Sequence, residues 1–265
     1  MPQLSGAFDR RGSPRLRLLK AKLLPTIPIA AWVMAACAVA AATPPQRTVI
    51  GRSVDRRPLV AVRIGEPKAP ERVLVIGCVH GNESAGMRVA RRLIGAPAPS
   101  DAALWVIPTL NPDGVAADTR GNAHGVDLNR NFPFGWRPLG GAEYSGPHSL
   151  SEPESRAARR LILRIQPEIT IWFHQPLDLV DRSGGDAAIE RRFSQLAGLP
   201  LVQLRRYPGS ASSWQNHTLA GSTAFVVELP SVVGRGLVGR AANAVRALAG
   251  EYGSPGVDAG TAVAP

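Results

Sequence analysis

Residues 73–83 read VLVIGCVHGNE, and this stretch indicates both a fold element and a place for chemistry. The apolar run at 73–76 is typical of a strand that is buried on both faces of a parallel sheet. His80 and Glu83 follow it, three residues apart, where the strand would turn into a helix. Imidazole and carboxylate are good Zn²⁺ ligands, but a helix start capped by a carboxylate would give the same H-x-x-E pattern.

Similar apolar runs recur along the chain, with helical patterns between them. Further strands are predicted at 104–107, 169–173, 224–227 and, more weakly, 200–204. Amphipathic helices are predicted at 152–165 and 235–249, and Ser151 with Glu154 would form a capping box at the first of them. This alternation predicts the α/β class, as a single domain with a mixed, mostly parallel twisted sheet and helices on both faces.

The N-terminal residues 1–42 have the composition of an export signal. Basic residues precede an apolar stretch at 27–42, whose 16 residues are fewer than the roughly 20 that span a bilayer. We predict a cleaved signal peptide and a secreted or cell-envelope protein. The alternative is that the segment is retained or lipidated as an anchor, and the protein would then contact the membrane through this segment alone. The catalytic domain would occupy residues 43–250, and residues 251–265 would form a flexible tail.

Charge and cysteine content exclude several classes of protein. Residues 1–42 contain six of the 31 basic residues and one of the 20 acidic residues. The rest of the chain therefore carries a net charge of +6. The arginines are scattered and form no stripe, so we expect no nucleic-acid partner. Two cysteines are too few for a disulfide scaffold or a Cys-rich zinc module.

Three polar side chains follow predicted strands at the points where those strands end. They are His80, His174 after the strand at 169–173, and Glu228 after the strand at 224–227. Open α/β sheets bind ligands at the carboxyl ends of their strands. Two histidines and one glutamate would make a three-ligand zinc site with an open position for water, and a second carboxylate nearby could act as a general base. An isolated His after a strand is more often structural, so the prediction rests on the whole constellation.

Between these residues lies a segment rich in Asn, Asp and Arg. It reads NPDG at 111–114, RGN at 120–122 and GVDLNRNFP at 125–133. Arginine can hold a carboxylate through two hydrogen bonds and stays charged at any working pH. A series of surface turns is the alternative explanation for this composition.

The motifs taken in order resemble those of the zinc carboxypeptidases of the carboxypeptidase A type. Over about residues 50–230 the chain contains, in this order, H-x-x-E, an arginine, N-R within GVDLNRNFP, a histidine and E-L-P. NPDG, the SEPE at 151–154 and the PGS at 208–210 with Trp214 make the sequence most similar to the bacterial murein peptide amidases.

This resemblance implies a metal site and its supporting residues. His80, Glu83 and His174 would bind one Zn²⁺ ion per chain, and Asp127 would orient His80, since ligand histidines usually need such a partner. Glu228 would take the proton from the attacking water and pass it to the leaving amine.

The resemblance also implies how a substrate would bind. Arg120 would polarise the scissile carbonyl, and Asn129 and Arg130 would hold the free carboxylate at the substrate terminus. Asn216 stands where digestive members of the family have a tyrosine that closes over this terminus. Tyr207 lies nearby in the sequence, but nothing in the sequence places it in the site.

The same resemblance implies that the substrate is a peptide of cell-wall origin, cut at the γ-D-glutamyl–diaminopimelate bond. Three alternatives stay open. They are a carboxypeptidase acting on L-peptides, an aspartoacylase-like N-acyl amino-acid deacylase, and an inactive wall-binding module. The last would be expected to lack a ligand or the base, and none of these residues is missing here.

Overall fold

The computed structural model describes residues 43–66, 68–97, 99 and 102–252. The predicted export segment at 1–42 lies outside the described residues, and so do residues 253–265 of the tail predicted at 251–265; Glu251, its first residue, still belongs to the last helix. No helix in the described ranges is long and apolar enough to cross a membrane.

Eight strands form one sheet in the part of the chain that the structure describes. They are β1 (Gln46–Arg52), β2 (Pro58–Ile64), β3 (Glu71–Ile76), β4 (Ala103–Ile107), β5 (Ile169–His174), β6 (Leu177–Asp181), β7 (Leu201–Val202) and β8 (Thr223–Pro230). Their order is β1-β2-β4-β3-β5-β8-β6-β7. The pairs β3–β4, β3–β5, β5–β8 and β6–β7 are parallel, whereas β1–β2, β2–β4 and β6–β8 are antiparallel. The prediction of a mixed, mostly parallel sheet is therefore confirmed.

Helices cover both faces of this sheet, as predicted. They are α1 (Gly86–Ile94), α2 (Pro112–Ala117), α3 (Pro153–Ile165), α4 (Ala187–Ala197), α5 (Ala211–Thr218) and α6 (Arg235–Glu251). Val89 of α1, Phe193 of α4 and Val245 of α6 share one buried cluster with one face of the sheet. Leu161 of α3 and Trp214 of α5 belong to the cluster on the other face. Trp214 is thus a core residue.

The predicted capping box at the start of α3 is wrong. Glu152 is the N-cap residue, and its side chain makes no capping hydrogen bond. Ser151 Oγ instead donates to Glu152 Oε1 at 2.7 Å. Glu154 is buried and accepts the Val54 backbone N–H at 3.0 Å, so this carboxylate connects α3 to the turn after β1.

The centre of the sheet determines where the predicted site residues lie. Strands β3, β5 and β8 are neighbours and parallel, so their carboxyl ends meet at one edge. His174 closes β5 directly opposite Glu228 of β8, and His80 follows β3 at the same edge. Side chains from distant parts of the sequence are thereby brought together.

Candidate active site

Three donor side chains meet at this edge of the sheet. His80 Nδ1 lies 2.9 Å from Glu83 Oε1, and His174 Nδ1 lies 3.0 Å from Glu83 Oε2 and 3.2 Å from His80 Nδ1. The ligand atoms all fall within 4.8 Å of one another, and the three residues are buried. The donor set consists of two imidazole nitrogens and one carboxylate, whose two oxygens face the two histidines. Such a set suits Zn²⁺.

The outer nitrogen of His80 is held by a buried carboxylate. His80 Nε2 donates to Asp127 Oδ1 at 2.9 Å, and Asp127 is fully buried. Burial acts to raise the pKa of Asp127, but the charges of His80 and Arg120 outweigh burial and hold that pKa well below its ordinary value. Asp127 is therefore an anion that fixes the ring of His80 with Nδ1 toward Glu83.

The charges at the donor cluster support one another. Burial acts to lower the pKa of His80, but the charge of Asp127 and the hydrogen bonds that His80 donates to Asp127 and Glu83 outweigh burial and raise it. Burial acts to raise the pKa of Glu83, but hydrogen bonds with His174 and His80 overcome it and depress that pKa. A cation between these side chains is therefore favoured, because the carboxylate stays ionised and a positive charge is stabilised here.

Gly81 allows the loop that carries two of the donors to lie against α2. A Cβ atom at Gly81 would stand 1.9 Å from the Gly114 carbonyl carbon and 2.2 Å from its oxygen. Both contacts are with backbone, which cannot rotate away. The glycine in H-G-x-E is thus required by the close approach of the NPDG segment, which also leads to Arg120.

Arg120 connects the donor cluster to Asp127. Its Nε and Nη2 both donate to Asp127 Oδ2, at 3.0 and 2.8 Å, and its Nη1 donates to Glu83 Oε1 at 3.1 Å. About a third of the side chain, 31%, remains exposed to the pocket. The guanidinium is thus held rigidly beside the donor cluster while still open to a ligand.

Glu228 lies next to the donor cluster and is partly buried. Burial raises its pKa, the negative charge of Glu83 raises it further, and the charge of His174 opposes the shift. Its Oε2 finds no hydrogen-bond partner among the described residues. Such a carboxylate has a raised proton affinity and one oxygen free to take up a proton.

Asn129 and Arg130 line the same pocket from the turn after Asp127. Asn129 Nδ2 lies 3.4 Å from His174 Nε2, and its Oδ1 accepts the first N–H of α5, that of Ala211, at 2.9 Å. Arg130 is almost fully buried and donates from Nη2 to Glu143 Oε1 at 3.0 Å. The carboxylate of Glu143 is half-exposed, on a flexible side chain. A ligand carboxylate can therefore take its place on the buried guanidinium of Arg130.

The structure also adds residues to the pocket that sequence reasoning missed. Tyr207 lies with its ring under the Arg130 guanidinium, 4.1 Å from Cζ to the ring centre. Asn216 instead donates to the carbonyls of Ser183 and Ala224 and does not line this pocket. Pocket-lining residues that the motifs do not reveal include Glu143, Asp181, Arg205 and Arg206. The tyrosine near PGS was the one available signal.

All eight predicted site residues except Asp127 line one pocket of about 620 Å³, and Asp127 lies directly behind His80 and Arg120. Four arginines and four carboxylates face this space, so its lining is highly charged. They are Arg120, Arg130, Arg205, Arg206, Glu83, Glu143, Asp181 and Glu228. Such a lining suits a polar ligand that carries several charges of its own.

Comparison with known proteins points to one family. A family model described as zinc carboxypeptidase matches residues 33–180. Murein peptide amidase A of Escherichia coli (strain K12) is 33% identical over 190 residues, which cover 65% of this chain and 77% of that protein. Its counterpart in Vibrio campbellii is 30% identical over 204 residues, covering 70% of this chain and 79% of that protein.

A solved structure extends the match beyond residue 180. The crystal structure of murein-tripeptide amidase MpaA from Escherichia coli O157 superposes with a TM-score of 0.64 and 28% sequence identity, covering 82% of this chain and 95% of that one. Glu228 lies outside the residues that the family model matches. The pairing of β8 with β5 places it beside His174.

Proposed function

Because the chain belongs to the zinc carboxypeptidase family of metallohydrolases, as its motifs predicted, we propose that it cleaves murein peptides. The bond cut would be the amide between γ-D-glutamate and diaminopimelate, next to a free carboxylate. The observation that carries this proposal is the meeting of His80, Glu83 and His174 with Arg120 and Glu228 in one pocket. The similar proteins, which are murein peptide amidases, supply the substrate class.

We propose that His80, Glu83 and His174 hold one Zn²⁺ ion per chain. The fit rests on the donor atoms themselves, which converge from the end of β5 and the loop after β3 on side chains that are at most 11% exposed. When bound, zinc would supply a Lewis acid that polarises a carbonyl and makes a water molecule more acidic. Asp127 would hold His80 in the orientation that this requires.

In the proposed reaction, Glu228 removes a proton from the attacking water and later delivers it to the nitrogen of the departing amine. Its raised pKa and its unpartnered oxygen favour both transfers, since a base works best when its pKa lies near the working pH. Arg120 donates to the carbonyl oxygen as negative charge develops there. Asp127 already orients this guanidinium, so no reorganisation is needed when the charge appears.

Asn129 and Arg130 would bind the carboxylate of the residue that is released. Arg130 lies in the pocket with Tyr207 against its face, which leaves the edge of the guanidinium for a carboxylate. The substrate carboxylate would replace Glu143 on Nη2. Tyr207 would thereby lie beside the substrate terminus, although it does not occupy the sequence position of the tyrosine in digestive enzymes.

We further propose that residues 1–42 direct export, that residues 43–250 form the catalytic domain, and that the protein works in the cell envelope or outside the cell. Murein lies outside the cytoplasmic membrane, so a murein substrate and an export segment support each other. Expression of the full chain in a bacterium, followed by mass spectrometry of the recovered protein, should find an N-terminus at Thr43. Recovery of an uncleaved chain from the cytoplasm would contradict export.

The proposed activity is tested with purified, zinc-loaded protein and L-Ala-γ-D-Glu-meso-diaminopimelate. We expect free diaminopimelate by mass spectrometry, and we expect a chelator to abolish its release. Release from ordinary L-peptides or from N-acyl amino acids, with the murein tripeptide left intact, would favour the carboxypeptidase or deacylase alternatives. Turnover of none of these by protein shown to hold zinc would leave the wall-binding alternative.

A further inference from the structure

One end of the pocket carries an arginine whose position is fixed by a buried carboxylate. Arg206 donates from Nη1 to Asp181 Oδ2 at 3.1 Å and from Nη2 to the carbonyl of Arg182. Asp181 is only 6% exposed and also accepts the Leu204 N–H and the Ser183 hydroxyl, both at 2.8 Å. Arg206 is therefore held in one orientation, unlike a surface arginine that moves freely in solvent.

The strand register places this arginine at a defined distance from the reacting bond. Glu228 and Val226 both line the pocket from β8, and Asp181 of β6 is paired with Val226, whereas Leu179 is paired with Glu228. Two residues along a strand correspond to about 7 Å. A side chain of the released residue, starting near Glu228, would thus reach the Asp181–Arg206 pair with its far end.

The charges at this end of the pocket favour a carboxylate over an ammonium group. The Asp181 carboxylate is already occupied by three donors, whereas Arg206, which lines the pocket, uses only two of its five N–H groups in the contacts described above. Arg205 lies beside it and makes no hydrogen bond or ion pair with any other residue that the structure describes. A side chain that ends in an ammonium group would meet two guanidinium groups, whereas a carboxylate could accept paired hydrogen bonds from Arg206.

We infer that Arg206 determines specificity by binding a carboxylate at the end of the released residue's side chain, with Asp181 as its positioning residue. This inference rests on the proposed function, in which the released residue is diaminopimelate. Diaminopimelate ends in a second carboxylate and a second ammonium group, three methylenes away from the carbon that bears the first pair. Lysine, which replaces it in other murein peptides, has the ammonium group alone.

The test compares two tripeptides that differ only in this distal group. L-Ala-γ-D-Glu-meso-diaminopimelate and the same peptide with its distal carboxylate amidated are given to the wild type, to Arg206→Gln and to Arg192→Gln. Arg192 is a matched control, because it is 43% exposed and paired with Glu251, while Arg206 is 40% exposed and paired with Asp181. We expect amidation to raise the KM of the wild type and of the control by about 10- to 100-fold. Arg206→Gln should process both peptides with the same, raised KM.

The comparison within the wild type needs no folded variant and shows whether the distal carboxylate is recognised, whereas Arg206→Gln shows whether Arg206 binds it. Equal KM values for the acid and the amide in the wild type would overturn the inference, and so would an unchanged preference in Arg206→Gln. If the wild type cleaves neither tripeptide, the proposed function fails separately. The same acid–amide comparison is then made with benzoylglycyl-diaminopimelate, in which the acyl part is not that of murein, and equal KM values there would overturn the inference.

Discussion

Glu228 combines a free carboxylate oxygen with a raised pKa, and it lies directly opposite His174 in the sheet. Glu228→Gln keeps the shape of the side chain but can neither accept nor deliver the proton. We expect kcat to fall by about 10²- to 10⁴-fold while zinc content and KM stay near the wild-type values. Steady-state kinetics with metal analysis would show this, with the exposed Glu66→Gln as the control. A fall of less than tenfold would mean that another group is the base.

Asp127 contacts both His80 of the proposed metal site and Arg120 of the proposed substrate site. Asp127→Asn keeps the size of the side chain and removes its charge, so His80 loses its anionic partner. We expect the zinc dissociation constant to rise by about 10- to 100-fold. Competition with a chromogenic chelator measures it. Asp118→Asn is a suitable control because Asp118 is exposed and has a left-handed backbone that asparagine tolerates. Unchanged zinc affinity in Asp127→Asn would contradict the orienting role.

The two halves of the site differ in how far the sequence could predict them. His80, His174 and Glu228 each follow an apolar run, so their common edge could be predicted from the pattern of parallel strands. Arg206 and Tyr207 lie in an irregular segment after the two-residue strand β7, which has no clear period. They reach the pocket because β6 pairs with β8 in the antiparallel direction. No local sequence pattern predicts this pairing.

At the scale of elements, α2 is attached to the turn between β1 and β2 through one buried carboxylate. Asp113 accepts hydrogen bonds from Ser53 Oγ at 2.8 Å, from the Asp55 N–H at 3.0 Å and from Arg57 Nη1. Burial acts to raise the pKa of Asp113, but these three donors outweigh it and lower the pKa from its ordinary value of 3.8. The helix that packs on Gly81 is thus anchored by an ionised group.

Asp113→Asn should therefore destabilise the protein in a pH-dependent way. A carboxylate with a lowered pKa in the folded state stabilises that state above its ordinary pKa of 3.8, and the contribution is lost as the pH falls through the lowered value. We expect a loss of about 1.5 to 3 kcal/mol at pH 7, shrinking on acidification. Urea unfolding at neutral and acidic pH measures it, with the exposed Asp178→Asn as the control. A difference independent of pH would contradict the ionic anchor.

The strands that were missed in the sequence, β1, β2 and β6, lie toward the edges of the sheet. The central strands β3, β4, β5 and β8 are continuous apolar runs because both of their faces are covered. Strand β1 reads QRTVIGR and is largely exposed, so it shows neither a continuous apolar run nor a clear alternation. Its pairing with β2 comes from the tertiary fold, in which α3 packs against β1, and no local pattern could reveal it.

At the scale of the whole molecule, the donor atoms come from the carboxyl ends of β3 and β5, which are neighbours at the centre of the sheet. A bound zinc ion would therefore connect segments about 90 residues apart in the chain, His80 and His174, and would stabilise the folded state only. The large apolar clusters on both faces do not involve these donors, so we expect the metal-free protein to remain folded.

Zinc at about 1,000 times its dissociation constant stabilises a folded protein by about 4 kcal/mol, which corresponds to a rise in Tm of roughly 8 to 16 °C for a domain of this size. We expect this rise in the wild type, its reversal by a chelator, and its absence in His174→Asn, which removes one donor. The exposed His148→Asn should behave as the wild type, because His148 does not line the pocket. An equal rise in His174→Asn would mean that zinc stabilises the protein from another site, since a site left with His80 and Glu83 alone lacks the third ligand on which tight binding depends.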